Sequence, residues 1–467
     1  MRRNSILSAI LAFISWFSAP YATVKANVVQ EVTGITEAES SNSIVESTNN
    51  AEGAEKAVEP KSEIIGSNVQ RRELKELFFA ATNREKFKEV GMDVPKVILL
   101  EGHSGTGKTT LMNELAKQAE IRIFSVDATE VENENNIDFK IQNIIKKSQK
   151  KPSVLHIENA HTINCRNEKL IHKMEVIKGA TKKYDITFIL ETNTPIEDKN
   201  GKLKTLIDKT ITFYPPNINE IVEIMKKYSL PQLFVCSEIN YRECAWHLRN
   251  LSGGEIKELM NKVFITGILK NQTKITSKDI IETFIYTTYM ATPNPTVERT
   301  EEEKRSIACH EAGHALLYKC FLGKMPSIIT IQPNAQALGF NLYSGEGWKG
   351  MWLMSKDEID SRIQICMAGK AATDVYFGKP GVSGISDDLQ QAYFYAGLAY
   401  DCFLTENPLA KRENEEKKLI IECMNKAKKY LREHIDELKR LTDELLEKET
   451  LYFLDDTQGN TVVSQNS

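Results

Sequence analysis

Two histidines and a glutamate within five consecutive residues carry the clearest chemistry in this sequence. Residues 310–314 read HEAGH, and residues 315–318, which come next, are mostly apolar and favour a helix. On a helix, residues four apart lie on one face, so the imidazoles of His310 and His314 can bind one Zn²⁺ ion. Glu311 then lies beside the ion, where it can take a proton from an attacking water. The pattern predicts a zinc-dependent hydrolase; the alternative is a surface helix that carries two histidines by coincidence.

A glycine-rich stretch earlier in the chain has a second defined chemistry. Residues 102–109 read GHSGTGKT, which matches the GxxxxGK[ST] pattern, between an apolar run and a helical pattern. In such a loop, backbone N–H groups bind phosphates, the lysine reaches the β and γ phosphates, and the threonine hydroxyl binds Mg²⁺. The sequence therefore predicts binding of ATP with Mg²⁺. The predicted contacts are Gly102, Gly105, Gly107, Lys108 and Thr109.

Hydrolysis of a nucleotide needs further residues, and here these are altered. A hydrolysing site usually has Asp and then Glu at the end of a later strand, to hold the magnesium shell and to activate water. The corresponding apolar run ends in Glu158 and Asn159. Glu158 can still serve the metal, but the amide of Asn159 cannot act as a base. Thr192 and Asn193, after the next apolar run, could still orient a water near the γ-phosphate. We therefore predict nucleotide binding with slow or absent turnover.

Strand and helix patterns alternate around the phosphate loop. This alternation predicts a parallel α/β sheet. The pattern from about residue 218 to residue 286 is helical and predicts a small lid, and the prolines of residues 291–295 (ATPNP) end it. The four predicted strands are residues 96–100, 121–126, 153–157 and 186–190.

Composition and charge exclude several classes of protein. The chain has 467 residues, enough for two or three domains. Its 60 basic and 64 acidic residues give a net charge of −4, so no nucleic-acid partner is predicted. The eight cysteines include no CxxC pair, which argues against both a disulfide framework and a zinc finger.

The N-terminus has the features of a targeting segment. Arg2 and Arg3 precede a mostly apolar run, residues 6–17, and residues 24–26 (VKA) are a candidate cleavage site. The uncharged residues 5–24 also have about the minimum length of a membrane span, so a cleaved signal peptide and a retained anchor both fit. Either would export the rest of the chain. We therefore predict a membrane-associated or exported protein.

The order of these features resembles the FtsH family of membrane-bound AAA+ zinc proteases. Three further blocks come after the HEAGH residues in the family's order and with similar spacing: ALGF at 337–340, MAGKAA at 367–372 and SDDL at 386–389. The match covers roughly residues 64–450. The resemblance implies an α/β P-loop AAA+ domain with a helical lid, followed by a mainly α-helical zinc metallopeptidase domain. It also implies polypeptide substrates and a homo-oligomer, a hexamer in the family.

The resemblance implies a third zinc ligand as well. In the family this ligand is the Asp of an N-D-[LI] segment, which reads Asp387-Asp388-Leu389 here, so Asp388 is predicted. Spacing alone does not choose between Asp388, Asp387 and Asp374. With His310 and His314, this carboxylate would leave one zinc position open for water.

Three departures from the family pattern all fall on the ATP-driven machinery. Asn159 replaces the catalytic glutamate, residues 127–138 lack the aromatic of a pore loop, and residues 194–204 contain no arginine finger. An arginine finger is worth roughly 10³-fold or more in rate. We therefore predict a zinc metalloendopeptidase fused to an ATP-binding module with weak or lost hydrolysis. The alternatives are a fully ATP-dependent protease and a non-catalytic scaffold subunit of an FtsH-like ring.

Six segments are predicted along the chain. The last domain is expected to end in one long helix with a leucine-rich stripe, which would serve core packing or an oligomer contact. The segments are a signal peptide or anchor (1–26), a disordered linker (27–62), the AAA+ domain (63–215), the lid (216–290), the peptidase domain (300–450) and a flexible tail (451–467).

Overall fold

The structure is a computed structural model that describes most of the chain after residue 63. The described ranges are 64–129, 152–162, 186–194, 202–288, 299–333, 337–343, 354–378, 386–403 and 412–454, with residues 175 and 179. The predicted leader and linker, most of the pore-loop stretch and most of the tail lie outside them. Within these ranges, no helix has both the length and the apolar composition that crossing a membrane requires.

The chain divides into two compact units. As far as residues are described, the first unit contains residues 64–99, 108–191 and 202–211. The second contains residues 100–107, 192–194 and 212–454. The predicted zinc residues therefore all lie in the second unit.

A five-stranded sheet forms the centre of the nucleotide-binding region. Its strands are β1 (Val97–Glu101), β2 (Arg122–Asp127), β3 (Ser153–Glu158), β4 (Ile186–Thr192) and β5 (Lys209–Thr212). They lie in the order β2-β3-β4-β1-β5, and β2, β3 and β4 run parallel. β1, β3 and β4 are almost entirely buried, as expected of strands covered on both faces. The helices here are α1 (Asn68–Thr82), α2 (Arg84–Glu89), α3 (Lys108–Gln118) and α4 (Lys202–Leu206).

The lid that comes after the sheet is helical. Its helices are α5 (Ile218–Tyr228), α6 (Tyr241–His247), α7 (Gly253–Leu269) and α8 (Ser277–Thr288). Asn217 and Ser252 each form a capping box with a glutamate three residues later, at the start of α5 and α7. These boxes satisfy N–H groups that a helix end leaves free, so the local sequence sets where both helices begin.

Within the described residues, the peptidase region combines five helices with a small antiparallel sheet. The helices are α9 (Glu301–Leu322), α10 (Lys356–Phe377), α11 (Ser386–Phe403), α12 (Arg412–Glu433) and α13 (Ile435–Lys448). The strands are β6 (Ile328–Thr330), β7 (Phe340–Leu342) and β8 (Thr450–Tyr452), in the order β7-β6-β8. The parallel α/β sheet, the lid and this mainly helical region confirm the predicted fold class.

The predicted long C-terminal helix is in fact two helices, so that prediction was wrong. His434 separates α12 from α13, because its φ of −115° and ψ of 31° lie outside the helical range. Its Nδ1 donates to the carbonyl oxygen of Tyr430 at 2.9 Å, and the two rings stack. The stripe itself packs in the core, where Leu431, Leu438, Leu441 and Leu445 are buried.

A buried polar contact connects the lid to the peptidase region. His247, at the end of α6, places Nε2 3.1 Å from Oγ of Ser327, and that hydroxyl donates to Glu243 Oε1 at 2.9 Å. Burial, and then the positive charges of Arg249 and Lys324, lower the pKa of His247 to about 4. The imidazole is therefore neutral at neutral pH.

Candidate metal centre and nucleotide site

Helix α9 brings the two predicted histidine ligands together. It begins with a capping box between Thr300 and Glu303 and ends at Gly323, whose φ of 72° is typical of a left-handed helix cap. Because His310 and His314 are one turn apart, their Nε2 atoms lie 3.0 Å from each other. The sequence thus fixes both the length of the helix and the pairing of the imidazoles.

Helix α11 supplies the carboxylate that completes the cluster. Asp388, in its first turn, places Oδ2 3.1 Å from His310 Nε2 and 3.3 Å from His314 Nε2. Asp387 next to it is exposed. Asp374 instead forms ion pairs with Lys370 and Lys428, at 3.3 and 2.8 Å. Of the three aspartates that spacing left open, the structure brings Asp388 to the histidines.

The donor atoms of this cluster suit a zinc ion. His314 Nδ1 lies 2.7 Å from the carbonyl oxygen of Ile365, which can only accept, so Nδ1 carries the ring's proton. In the neutral ring, Nε2 then directs a lone pair at His310 and at the Asp388 carboxylate. A cation between these atoms would offset the repulsion of their lone pairs. The atoms are also about as far apart as ligands on a tetrahedral zinc, roughly 3.3 Å for Zn–N bonds near 2.0 Å. The Ile365 carbonyl also orients the His314 ring.

Glycines allow helix α10 to lie against the histidines. A Cβ atom on Gly369 would come within 3.0 Å of both imidazoles, and one on Gly313 would come equally close to Ala368 and Ala372 of α10. The glycine inside HEAGH and the glycine inside MAGKAA therefore have one physical role. They let α9 and α10 approach until α10 closes one side of the cluster.

Glu311 follows His310 on α9 and is almost fully buried. Burial raises its pKa above the ordinary value, although the neighbouring imidazoles of His310 and His314 act in the opposite direction. Asn341, on β7, donates from Nδ2 to Glu311 Oε2 at 2.7 Å and to the backbone oxygen of Glu311 at 3.1 Å. A carboxylate that is held in place beside the cluster is suited to proton transfer.

The charges of the cluster stabilise one another. Burial would lower the pKa of His314, but Asp388 and Glu311 raise it to about 9, so a metal that binds Nε2 would displace a proton from this ring. Burial would raise the pKa of Asp388, but His314 and His310 hold it well below its usual range. The Asp388 carboxylate is therefore ionised, as a metal ligand must be.

The glycines of the phosphate loop have the backbone that such a loop needs. Gly102, Gly105 and Gly107 have φ values of 152°, 77° and 94°, which favour glycine. A Cβ on Gly102 would collide with the backbone of Phe213, and one on Gly105 would collide with Ser252. The loop therefore accepts no side chain at these two positions.

A carboxylate that the sequence analysis did not identify lies at the start of α3. Thr109 lies 2.9 and 2.8 Å from the two carboxylate oxygens of Glu191, to which its hydroxyl donates, and Lys108 Nζ lies 3.9 Å from Oε1. Burial lowers the pKa of Lys108, and the charge of Glu191 acts against this. The one available clue was an acidic residue at the end of an otherwise apolar strand pattern.

The other predicted nucleotide residues lie elsewhere. Glu158 ends β3 with 46% of its side chain exposed, and it does not bond to Thr109. Asn159 donates from Nδ2 to Asp127 Oδ2 at 2.8 Å. Asn193 comes directly after β4 and belongs to the second unit. The structure therefore groups Lys108 and Thr109 with Glu191 rather than with Glu158.

Two family models match the chain. The model of peptidase family M41 matches residues 297–399, which include the three-residue cluster. The model of the ATPase family associated with various cellular activities (AAA) matches residues 98–214, which include the phosphate loop.

Curated relatives match most of the chain at low identity. The ATP-dependent zinc metalloprotease FtsH 2 of Thermoanaerobacter sp. (strain X514) is 26% identical over 418 residues, covering 83% of this chain and 80% of that protein. The ATP-dependent zinc metalloprotease FtsH of Rickettsia bellii (strain RML369-C) is 25% identical over 434 residues, covering 83% and 67%. The protein of the same name from Cyanidium caldarium is 25% identical over 439 residues, covering 83% and 70%.

Proposed function

Because the chain belongs to the FtsH family of AAA+ zinc metalloproteases, we propose that it is a zinc metalloendopeptidase with an ATP-binding module of weak or lost hydrolysis. The cofactors of the family are Zn²⁺ for the peptidase and ATP with Mg²⁺ for the AAA module. The convergence of His310, His314 and Asp388 beside the buried Glu311 carries the proposal.

In the proposed reaction, one water molecule is added across a peptide bond. His310, His314 and Asp388 would hold the metal. When bound, zinc supplies a Lewis acid, which makes water a nucleophile at neutral pH and polarises the scissile carbonyl. Glu311 takes a proton from the attacking water and passes it to the leaving amine nitrogen. Asn341 holds Glu311 Oε2, which leaves Oε1 for the water.

Polypeptides fit the surroundings of this site as substrates. β7 is one of the two end strands of the small sheet among the described residues, and its Asn341 contacts Glu311. An extended peptide can add to such an edge through backbone hydrogen bonds, which read no particular side chain. The substrates we propose are flexible or partly unfolded polypeptides that lie along β7 and reach Glu311.

The proposal of weak ATP hydrolysis rests on the altered strand end. Asn159 has no carboxylate to activate water, and its amide donates to Asp127. The stretches that would carry the pore loop and an arginine finger lie mostly outside the described residues, so their part rests on the sequence. Nucleotide would then bind and order the module without driving strong unfolding.

Assembly and location are inferred from the family and from the first residues of the sequence. We propose a homo-oligomer, a hexamer by family resemblance, which is membrane-associated or exported through its N-terminal segment. No nucleic-acid partner is proposed, because the net charge of −4 provides no basic footprint.

Zinc analysis combined with casein cleavage tests the proposal. The purified wild-type protein and Glu311→Gln should both contain one zinc per chain. The variant should cleave casein at least about 10²-fold more slowly, the usual effect of losing a general base. Equal residual cleavage in both proteins, or no stoichiometric zinc in the wild type, would end the peptidase proposal.

A second assay separates the proposal from a fully ATP-dependent protease. Degradation of a stably folded substrate should be slow, and ATP should not accelerate it. Strong stimulation by ATP would favour the alternative. A scaffold subunit would cleave neither casein nor the folded substrate.

A further inference from the structure

Glu191 contacts the first two residues of α3, Lys108 and Thr109. It accepts from the Thr109 hydroxyl with both oxygens within 3 Å, and it lies 3.9 Å from Lys108 Nζ. Its side chain is only 12% exposed. Thr109 is the residue whose hydroxyl binds Mg²⁺ in a phosphate loop of this pattern. Glu191 therefore already contacts the predicted metal ligand.

The register of the sheet explains how Glu191 reaches this position. His156 on β3 is paired with Ser125 on β2 and with Ile189 on β4. Glu191 is two residues beyond Ile189, and side chains alternate along a strand, so Glu191 lies on the same face as His156. The same alternation places Leu190, which lies between Ile189 and Glu191, on the opposite face.

His156 holds Glu191 from within the sheet. Its Nε2 lies 3.1 Å from Glu191 Oε2, which can only accept, so Nε2 carries a proton. Its Nδ1 lies 3.1 Å from the hydroxyl of Ser125. The ring is fully buried, which fixes this line of contacts across β2, β3 and β4. The imidazole thus orients the carboxylate towards Thr109, as an outer-shell partner orients a metal ligand.

Glu158, to which the sequence pattern points, has no comparable contacts. Its carboxylate lies 3.6 Å from His156 Nδ1, and its side chain is 46% exposed. The Thr109 hydroxyl is already donated to Glu191. Glu191 is thus a buried and oriented carboxylate, whereas Glu158 is exposed. Both are candidates for the carboxylate beside the magnesium ion.

We propose that Glu191, positioned by His156, is the magnesium-side carboxylate of the nucleotide site and takes the place of Glu158. It accepts the Thr109 hydrogen bond and the hydrogen bonds of the water molecules that Mg²⁺ keeps when it binds. This inference rests on the nucleotide binding that the proposed function includes. It concerns binding of the metal–nucleotide complex and assigns Glu191 no part in activating water.

The proposed role predicts effects of opposite sign with and without magnesium. A carboxylate beside Lys108 repels the phosphates of a metal-free nucleotide, whereas it attracts the metal of a magnesium–nucleotide complex. Loss of the charge should therefore weaken magnesium–nucleotide binding and leave metal-free binding equal or tighter. A residue with a merely structural role would weaken both.

Calorimetric titration of the full-length protein with ATP, in Mg²⁺ and in EDTA, tests this. Glu191→Gln should bind ATP about 10- to 100-fold more weakly in Mg²⁺ and at least as tightly as the wild type in EDTA. The ATP affinity of Glu158→Gln, the matched control, should stay within about twofold of the wild-type affinity in both Mg²⁺ and EDTA. Glu191→Asp keeps the charge on a shorter side chain, so its ATP affinity in Mg²⁺ should lie between those of the wild type and Glu191→Gln. This second variant guards against misreading the misfolding of one variant as a loss of binding.

His156→Phe tests the positioning role. It should reduce the Mg²⁺-dependent gain in ATP affinity by roughly 10-fold, with less effect in EDTA. The inference is overturned if Glu158→Gln, rather than Glu191→Gln, removes the gain, or if Glu191→Gln weakens binding equally in both buffers. A wild-type protein that binds no ATP in either buffer would overturn the inference and the nucleotide part of the proposed function, whereas the zinc assays would be unaffected.

Discussion

The zinc cluster and the nucleotide site differ in how they relate to the family pattern. Every residue of the zinc cluster occupies the position that the pattern gives it, and His310, His314 and Asp388 meet within hydrogen-bonding distance. In the nucleotide site, the Thr109 hydroxyl donates to Glu191, a residue that no sequence pattern predicted. One site retains its arrangement, and the other combines a standard loop with an altered set of carboxylates.

This difference shows that the two sites are under separate physical constraints. The zinc cluster depends on a helical repeat and on two glycines, Gly313 and Gly369, at which a Cβ would collide with the facing helix. A parallel sheet instead offers neighbouring strand ends, from which a carboxylate on β4 can reach a point normally served from β3. The proposed change of carboxylate from Glu158 to Glu191 therefore moves the charge to a neighbouring strand of the same sheet.

The largest expected effect comes from Asp388, the proposed third zinc ligand. Asp388→Asn should remove stoichiometric zinc and reduce casein cleavage by roughly 10³-fold or more, because both the Lewis acid and its charge balance are lost. Metal analysis and cleavage rates measure this. The matched control is Asp387→Asn, one residue earlier and exposed, which should retain both. Zinc loss in the control rather than in Asp388→Asn would mean that the alignment is shifted by one residue.

The next effect tests whether the two sites act independently. Lys108→Ala should weaken ATP binding by roughly 10²-fold, because removal of a buried cation from a phosphate costs about 2–5 kcal/mol. Cleavage of unfolded casein should stay within about twofold. Lys117→Ala, on the exposed face of the same helix, is the control and should change neither. A parallel loss of peptidase activity in Lys108→Ala would show that the peptidase depends on the nucleotide.

A smaller effect is expected from the helix contact behind the zinc cluster. The added methyl of Gly369→Ala must displace the imidazoles of His310 and His314, so zinc affinity should fall by about 10-fold or more. A competition titration with a chelator measures this. Gly253→Ala in the lid meets only ordinary van der Waals contacts and should leave zinc affinity unchanged. Unchanged affinity in Gly369→Ala would mean that α10 does not constrain the cluster.

The smallest effect concerns Asn341, which donates a hydrogen bond to Glu311, the proposed general base. Asn341→Ala should lower kcat for casein by roughly 10-fold while zinc content and KM stay the same, because only the orientation of Glu311 is lost. Asn341→Gln keeps a donor on a longer arm and should recover part of the rate. If zinc is lost in Asn341→Ala, Asn341 has a structural role instead.

The sequence predicted the local elements and motifs of this molecule better than it predicted contacts between distant segments. The fold class and the cofactors are confirmed, because strand–helix alternation, the phosphate loop and HEAGH are each read within about 20 residues. Asp388 required the family resemblance, since nothing near it in sequence singles it out from Asp387. Glu191 and Asn341 were missed because their roles depend on strand register and on sheet packing, which the sequence does not show. The roles of the site residues and the domain boundaries stay predictions.

The neutral imidazole of His247 gives the lid–peptidase junction a weakness towards acid. The unfolded chain takes up this proton near pH 6.5, whereas the folded protein resists it until about pH 4. The stability from this group is therefore complete above pH 6.5 and is lost as the pH falls towards 4. The loss amounts to roughly 3 kcal/mol, a large share of the stability of a typical domain. An acidified compartment would therefore weaken the lid–peptidase junction, whereas Asp388, whose pKa is held well below its usual range by His314 and His310, would keep its charge.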